Sequence, residues 1–336
     1  MFEEYQRWQR ELERQPVEFL ALERRLPALL DVARERLAGH LRVPSDDLAL
    51  ATNATSAVNA VARSLALEAG DEVLTTPDEY PGMKLLWEYV SRRTGASVVE
   101  REWGDLEPGL RTKAVFVSHV EWSTGRVNEV ASLCTRARAA GALSIIDGAH
   151  APGQLELDLV ALGADVYAGN CHKWLCAPKG SGFLYARPEA QRLIDPLVIS
   201  WDWGDASPFH QRHRWQGTRD PSALLAIPAA LDFQDVHDWP RVRERCRGLL
   251  ENACDKLSQA GLEPLADPGR YVQMLGFRVP TDEPLELKRR LYDEHRIEVP
   301  VFETRHGAIL RVSVQGYNDE GDLDALSAAL ARTLRR

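Results

Sequence analysis

The feature that most constrains the fold is a stretch near the middle of the chain, residues 143–187, which reads LSIIDGAHAPGQLELDLVALGADVYAGNCHKWLCAPKGSGFLYAR. An apolar strand pattern, LSII, ends at Asp147, a helical pattern follows, and a second strand pattern, ADVYAG, ends shortly before Lys173. Parallel strands joined by a right-handed crossover point the same way, so their carboxyl ends meet at one edge of a sheet, where open α/β sheets bind ligands. The stretch therefore predicts a βαβ unit that places an acid and a lysine amine together at a binding edge.

The rest of the chain alternates short strand patterns with helical ones, which is typical of an α/β protein with a large, doubly wound, mostly parallel sheet. After Pro221 the pattern changes to longer helices with fewer strands, as in a small α+β domain. We expect a large domain over residues 1–230, with an N-terminal helical segment over 1–41, and a smaller C-terminal domain over 231–336.

Composition excludes several classes of function. The chain has 336 residues and a formal net charge of −9, and no basic face of the kind that binds nucleic acid is visible in its mixed charges. The N-terminus is charged, and no stretch approaches the ~18 apolar residues of a membrane helix, so we expect a cytoplasmic protein that does not enter membranes. Five cysteines without zinc-ligand spacing are typical of reduced thiols, and we expect no metal site.

A buried acid beside a buried lysine amine suits pyridoxal 5'-phosphate chemistry, in which the lysine forms a Schiff base and the carboxylate keeps the pyridine nitrogen protonated. Two plainer interpretations exist. Lys173 could be a solvated loop lysine, and Asp147 could be simply the N-cap of the next helix. The strand-end position of Lys173, with His172 before it and a GSG sequence after it, favours the functional interpretation.

At this point the sequence resembles class V aminotransferase-fold enzymes and, within them, isopenicillin N epimerase-like proteins. The resemblance rests on motifs that follow one another in family order: NATSAVN, DEYPG, SHVEWSTG, DGAHAPG, GNCHKWLCAPKGSGFLY, WQGTRDPSALLAIPAAL, IEVPV and LRVSVQGYN. It implies a fold-type I pyridoxal phosphate enzyme, a homodimer with shared active sites, and a small amino-acid-type substrate.

The resemblance also implies roles for individual residues around the cofactor. Asp147 and Lys173 take the roles described above, and His150 lies near the phenolic oxygen of the cofactor. Ala54 and Thr55, together with Asn170 and His172, lie on the phosphate side. These four residues are identified by motif position, since a Thr-Ser pair before a helix is equally compatible with an ordinary N-cap.

Three further residues are assigned in the same way. Tyr80 occupies the position that stacks on the pyridine ring, although it could also be an ordinary half-buried loop tyrosine. Thr218 matches a threonine that the partner subunit contributes to the phosphate site. Arg311 lies in an apolar strand pattern, where its guanidinium suits the α-carboxylate of an amino acid.

The reaction type stays open at this level. Epimerisation is favoured by family proximity, and β-elimination by a carbon–sulfur lyase and transamination are the alternatives, as is a cofactor-binding protein without catalysis. Cysteine desulfurases share the fold but need a cysteine in the loop that here reads IEVPVFETRHGAI, which contains none. Glu121 and Trp122 stand where the family often has small or amide side chains, so the substrate side diverges more than the cofactor side.

Overall fold

The computed structural model describes residues 1–21, 24–204 and 206–334 and divides into two compact units. The first comprises Met1–His119 and Glu129–Val236, and the second comprises Val120–Asn128 and His237–Arg336. The sequence patterns predict a boundary after residue 230, whereas the division falls at the end of a helix six residues later, because that helix packs with the first unit. Within the described ranges, no helix is both long enough and apolar enough to cross a bilayer.

The first unit is built on a seven-stranded sheet. Its strands are β1 (Leu48–Ala51), β2 (Glu72–Thr75), β3 (Ser97–Glu100), β4 (Thr112–Ser118), β5 (Leu143–Gly148), β6 (Val166–Asn170) and β7 (Gly182–Ala186). Their order is β1-β7-β6-β5-β4-β2-β3; β7 is antiparallel to both of its neighbours, β1 and β6, and the other neighbouring pairs are parallel. The other six strands therefore end at the same edge. The predicted α/β class, with a large and mostly parallel sheet, is confirmed.

The helices of this unit are listed in chain order: α1 (Phe2–Arg14), α2 (Leu26–Leu41), α3 (Ala54–Ser64), α4 (Pro81–Thr94), α5 (Val130–Ala139), α6 (Leu159–Leu162), α7 (Pro188–Gln191), α8 (Phe209–Arg212), α9 (Ser222–Leu225) and α10 (Ile227–Val236). The central strands are apolar along their length because helices cover both faces of a parallel sheet. Trp87 of α4, for example, packs on Phe116 of β4 with ring centroids 5.6 Å apart. Burying each such side chain contributes roughly 1.5–3 kcal/mol to the stability of the fold. This packing holds the strand ends in place.

The second unit contains a four-stranded sheet in the order β10-β11-β9-β8. Its elements are α11 (Trp239–Gln259), β8 (Glu263–Pro264), β9 (Met274–Arg278), α12 (Pro284–His295), β10 (Val301–Thr304), β11 (Gly307–Ser313) and α13 (Glu320–Thr333). All the strand pairs are antiparallel, and the helices share with the sheet one apolar core that includes Leu250, Phe277 and Leu310. This unit is the small α+β part that the sequence patterns indicate.

The segment Val120–Asn128 belongs to this second unit although it lies, in sequence, inside the first. It forms a tight hairpin that rests on β9, where the carbonyl of Thr124 accepts a hydrogen bond from the Gly276 amide at 2.8 Å. Gly125 has a φ of +76°, and a Cβ on it would lie 2.0 Å from the carbonyl oxygen of Met274. Only glycine therefore lets the hairpin approach the sheet this closely.

Candidate active site

The ends of β5 and β6 gather most of the residues that the sequence singled out. The two strands pair in parallel, with Asp147 opposite Ala168 and Gly148 opposite Gly169. Asp147 therefore lies near the end of one strand, while the neighbouring strand runs on to Asn170 and then to Lys173. The structure brings the acid and the lysine to one edge, as the βαβ pattern predicts.

Asp147 is a buried carboxylate with 6% of its surface exposed. Its Oδ1 accepts a hydrogen bond from the Ala149 amide at 2.8 Å. Burial raises the pKa of Asp147, and the Ala149 hydrogen bond, together with Lys173 when that amine is protonated, offsets only part of this rise. An ionised carboxylate in such a place is stabilised by a nearby cation, so the site suits a positively charged binding partner.

Lys173 is exposed, contrary to the expectation of a buried amine, and it contacts His150, with 3.0 Å between Nζ and Nε2. The other ring nitrogen of His150, Nδ1, lies 3.2 Å from the indole nitrogen of Trp174. Because an indole N–H can only donate, Nδ1 must be the acceptor, and in a neutral ring Nε2 then carries the proton. That proton is donated to Lys173, and only a neutral amine has the lone pair to accept it. The arrangement therefore favours the nucleophilic form of Lys173.

The N-terminus of α3 lies at the same edge of the sheet. Asn53 caps this helix by accepting a hydrogen bond from the Ser56 amide at 2.8 Å, and Asn170 accepts one from the Ala54 amide, also at 2.8 Å. Thr55, between these bonds, is exposed. A helix start held by two asparagine side chains, with an exposed hydroxyl, suits the binding of an anion.

His172 immediately precedes Lys173 and is partly buried. Its Nδ1 lies 3.1 Å from the carbonyl oxygen of Ser181, so this nitrogen carries a proton and donates it. Burial lowers the pKa of His172. The ring is therefore fixed as a neutral imidazole by the loop that also carries Lys173.

Tyr80 and Thr218 also belong to the first unit, but both are distant in sequence from the segment that carries Asp147 and Lys173. Tyr80 precedes the first residue of α4, after the end of β2, and is 45% exposed. Thr218 is exposed in the turn between α8 and α9. Their roles stay predictions.

Arg311 lies on β11 of the second unit. Its Nη1 donates a hydrogen bond to the carbonyl of Trp122, and the Trp122 ring stacks on Phe302 with centroids 4.7 Å apart. The Nε of Arg311 is buried without a hydrogen-bond partner among the described residues, and burial lowers the pKa of Arg311 to about 10. A buried guanidinium with an unused donor is suited to binding a carboxylate.

Three residues of this region were missed by sequence reasoning. Trp174 orients His150, and a buried indole that follows a candidate lysine was a usable signal, since its N–H needs an acceptor. His119 follows β4, and its amide donates to the Asp147 carbonyl at 2.9 Å. Glu79 is almost fully buried after β2. His119 and Glu79 each follow an apolar strand, and Asp147 lies near the end of another. The same argument from strand ends could therefore have found them.

His210 lies in α8, and His213 directly follows this helix. His213 is buried, and its ring packs on Phe209 with centroids 4.6 Å apart. Across residues 1–21, 24–204 and 206–334, no three His, Cys, Asp or Glu side chains gather as metal ligands.

Comparison with known proteins identifies relatives along nearly the whole chain. Residues 1–326 match the family described as aminotransferase class-V. Isopenicillin N epimerase of Amycolatopsis lactamdurans is 41% identical, covering 94% of this chain and 87% of that protein. The enzyme of the same name from Streptomyces clavuligerus is 38% identical, covering 98% of this chain and 90% of that protein.

The fold has matches among solved structures. A complex of the cystine C–S lyase C-DES with its reaction product cysteine persulfide superposes with a TM-score of 0.84 at 22% identity, covering 98% of this chain and 93% of that chain. This likeness shows the fold, and the sequence relatives show the family. The chain therefore belongs to the aminotransferase class-V family of pyridoxal phosphate-dependent enzymes.

Proposed function

We propose that this enzyme acts at the α-carbon of an amino acid or an amino-acid-derived substrate, and that its reaction is an epimerisation of the kind carried out by isopenicillin N epimerase. The observation that carries the proposal is the 3.0 Å contact between Lys173 and His150, which favours a neutral amine. The identities of 41% and 38% to two proteins named isopenicillin N epimerase support the reaction type.

The residues present fit pyridoxal phosphate. Asp147 offers a buried carboxylate for the pyridinium nitrogen, and the start of α3 with the Thr55 hydroxyl offers donors for the phosphate. Asn170 contributes by holding the Ala54 amide, which fixes this helix start. When bound, the cofactor supplies an electron sink for negative charge at the substrate α-carbon.

In the proposed mechanism each residue has a separate task. Lys173 Nζ takes the α-proton from the substrate, and epimerisation requires a proton to return to the opposite face of the same carbon. His150 keeps that amine neutral and oriented through Nε2–H, and Trp174 fixes the tautomer of His150. Arg311 binds the substrate carboxylate through its unused donor.

A second candidate reaction is β-elimination by a carbon–sulfur lyase. It is favoured by the fold match to the cystine C–S lyase and by relatives named as probable cysteine desulfurases, one of them 26% identical over 90% of this chain. Proton removal by Lys173 is the first step of both reactions, so the same residues serve either. Transamination is the third alternative, and it needs a pocket that accepts two carboxylic substrates in turn.

Reaction in heavy water separates the three. With a substrate that the enzyme converts, we expect deuterium at the α-carbon, or elimination products such as pyruvate, while the cofactor stays in its aldehyde form. The measurement combines mass spectrometry of the substrate with the visible spectrum of the enzyme. Stoichiometric conversion of the cofactor to pyridoxamine phosphate, reversed by an added keto acid, would instead establish a transaminase.

We further propose that the enzyme is a homodimer in which Thr218 completes the phosphate site of the neighbouring subunit. The exposure of Thr218 in its turn is consistent with this role, since a residue that serves a partner must be accessible to it. Cofactor affinity should then depend on dimerisation.

Subunit mixing tests this arrangement. Lys173→Ala and Thr218→Asp variants are each expected to be nearly inactive, the second because a carboxylate repels the phosphate. A one-to-one mixture should recover about a quarter of wild-type activity, because about half the dimers are mixed and each has one intact site. Native mass spectrometry shows whether mixed dimers form. Mixed dimers without activity would place Thr218 outside the partner's site.

A further inference from the structure

Glu79 is a buried carboxyl that the proposed mechanism does not use. It follows β2 and has 4% of its surface exposed. Its Oε1 accepts hydrogen bonds from the Thr76 hydroxyl at 2.8 Å and the Ser118 amide at 3.2 Å, and its Oε2 is 2.6 Å from the Ser118 hydroxyl. One carboxyl thus ties the end of β2 to the end of β4.

The strand end that Glu79 holds is the one beside Asp147. Ser118 is the register partner of Asp147 across β4 and β5, and the next amide, that of His119, donates to the Asp147 carbonyl at 2.9 Å. Any shift of Ser118 would therefore be passed to the backbone that carries Asp147.

The two carboxyls also influence each other through charge. Burial raises the pKa of Glu79 to about 8, and the negative charge of Asp147 contributes to the rise, against the lowering by the hydrogen bonds of Ser118 and Thr76. Below about pH 8 Glu79 is therefore protonated. Two like charges in one buried cluster are unfavourable, so a neutral Glu79 favours an ionised Asp147.

The other charged groups around Glu79 leave this coupling in place. Lys84 and Glu88 of α4 and Glu100 of β3 line, with Glu79, a surface groove of about 600 Å³. Lys84 forms an ion pair with Glu100, with 2.8 Å between Nζ and Oε1. On the other side, burial lowers the pKa of His119 to about 4, so its ring is neutral.

We propose that Glu79 is a positioning residue for Asp147, whose neutral carboxyl bridges Thr76 and Ser118 and leaves Asp147 as the charged member of the pair. The inference rests on the proposed function, in which Asp147 faces the pyridinium nitrogen. A neutral bridge holds the strand ends together without adding a second negative charge beside the cofactor. Above about pH 8 the bridge ionises, and the added charge strengthens proton binding at the ring nitrogen.

Two substitutions separate a neutral bridge from a charged one. Glu79→Gln keeps the shape and an acceptor oxygen and puts an N–H donor in place of the carboxyl O–H, so it resembles the protonated carboxyl but cannot ionise. Glu79→Ala removes the bridge and leaves the hydroxyls of Thr76 and Ser118 without their acceptor. Glu88→Gln, on the exposed side of the same groove, is the matched control.

The visible spectrum of each holoenzyme is titrated over about two pH units on either side of the pKa of Glu79. Wild type and Glu88→Gln should show a spectral step near pH 8, and Glu79→Gln should lack it. At neutral pH Glu79→Gln should keep its kcat within about threefold, while Glu79→Ala should lose roughly 10- to 100-fold in kcat with little change in KM.

Several results would overturn the inference: a step near pH 8 that persists in Glu79→Gln, a Glu79→Gln enzyme as impaired at neutral pH as Glu79→Ala, or a Glu79→Ala enzyme with full kcat. If these occur while Asp147→Ala is inactive, only the role of Glu79 is wrong. If Asp147→Ala retains full activity, the proposed function itself fails.

Discussion

Replacing Lys173 with alanine is expected to abolish the visible absorption of the purified enzyme and its covalent attachment to the cofactor. The reason is that the Lys173 amine is held 3.0 Å from His150 in a form that can attack the cofactor aldehyde. After borohydride treatment, peptide mass spectrometry should find the cofactor on Lys173 in the wild type and nowhere in the variant.

Lys179 provides the matched control for this experiment. It lies in the same loop, is exposed, and should lose neither the colour nor the adduct when replaced by alanine. A Lys173→Ala protein that still carries a borohydride-reducible covalent cofactor would show that another lysine has the role.

Replacing Asp147 with alanine is expected to lower turnover by several orders of magnitude while part of the cofactor remains bound. The buried Asp147 carboxylate would keep the ring nitrogen of a bound cofactor protonated, so that the ring can accept the negative charge left by proton removal, and such preorganised electrostatic terms are usually the largest in catalysis. The measurement is kcat with a turned-over substrate, normalised to the cofactor content of each preparation.

An Asp147→Asn variant separates charge from packing. It keeps the size of the side chain but loses the negative charge, so it should be impaired nearly as strongly as Asp147→Ala. An Asp147→Ala enzyme with wild-type turnover would remove the mechanism proposed for this chain.

Much of the fold and the centre of the site could be predicted from the sequence, for a physical reason. Parallel strands are buried on both faces, so they appear as apolar runs, and a polar residue at the end of such a run lies at the binding edge. Asp147 and Lys173 both follow this rule. Family membership, which the motifs indicated, is confirmed by the match over residues 1–326.

The remaining features depend on partners that are distant in sequence. The bridge made by Glu79 needs Ser118, which lies on another strand, and the tautomer of His150 is set by Trp174 after the next strand. No local pattern encodes such pairs. The hairpin Val120–Asn128 gave even less signal, because it is short and its contacts with β9 are made mainly by backbone atoms.

That hairpin has a consequence for how the protein can fold. The second unit is completed only when residues 120–128, made early in synthesis, meet strands that are made much later. A fragment that starts at His237 would lack the Thr124 carbonyl, and the Gly276 amide would lose its hydrogen bond. Completing the small unit therefore requires closing a long chain loop between residues 120–128 and β9.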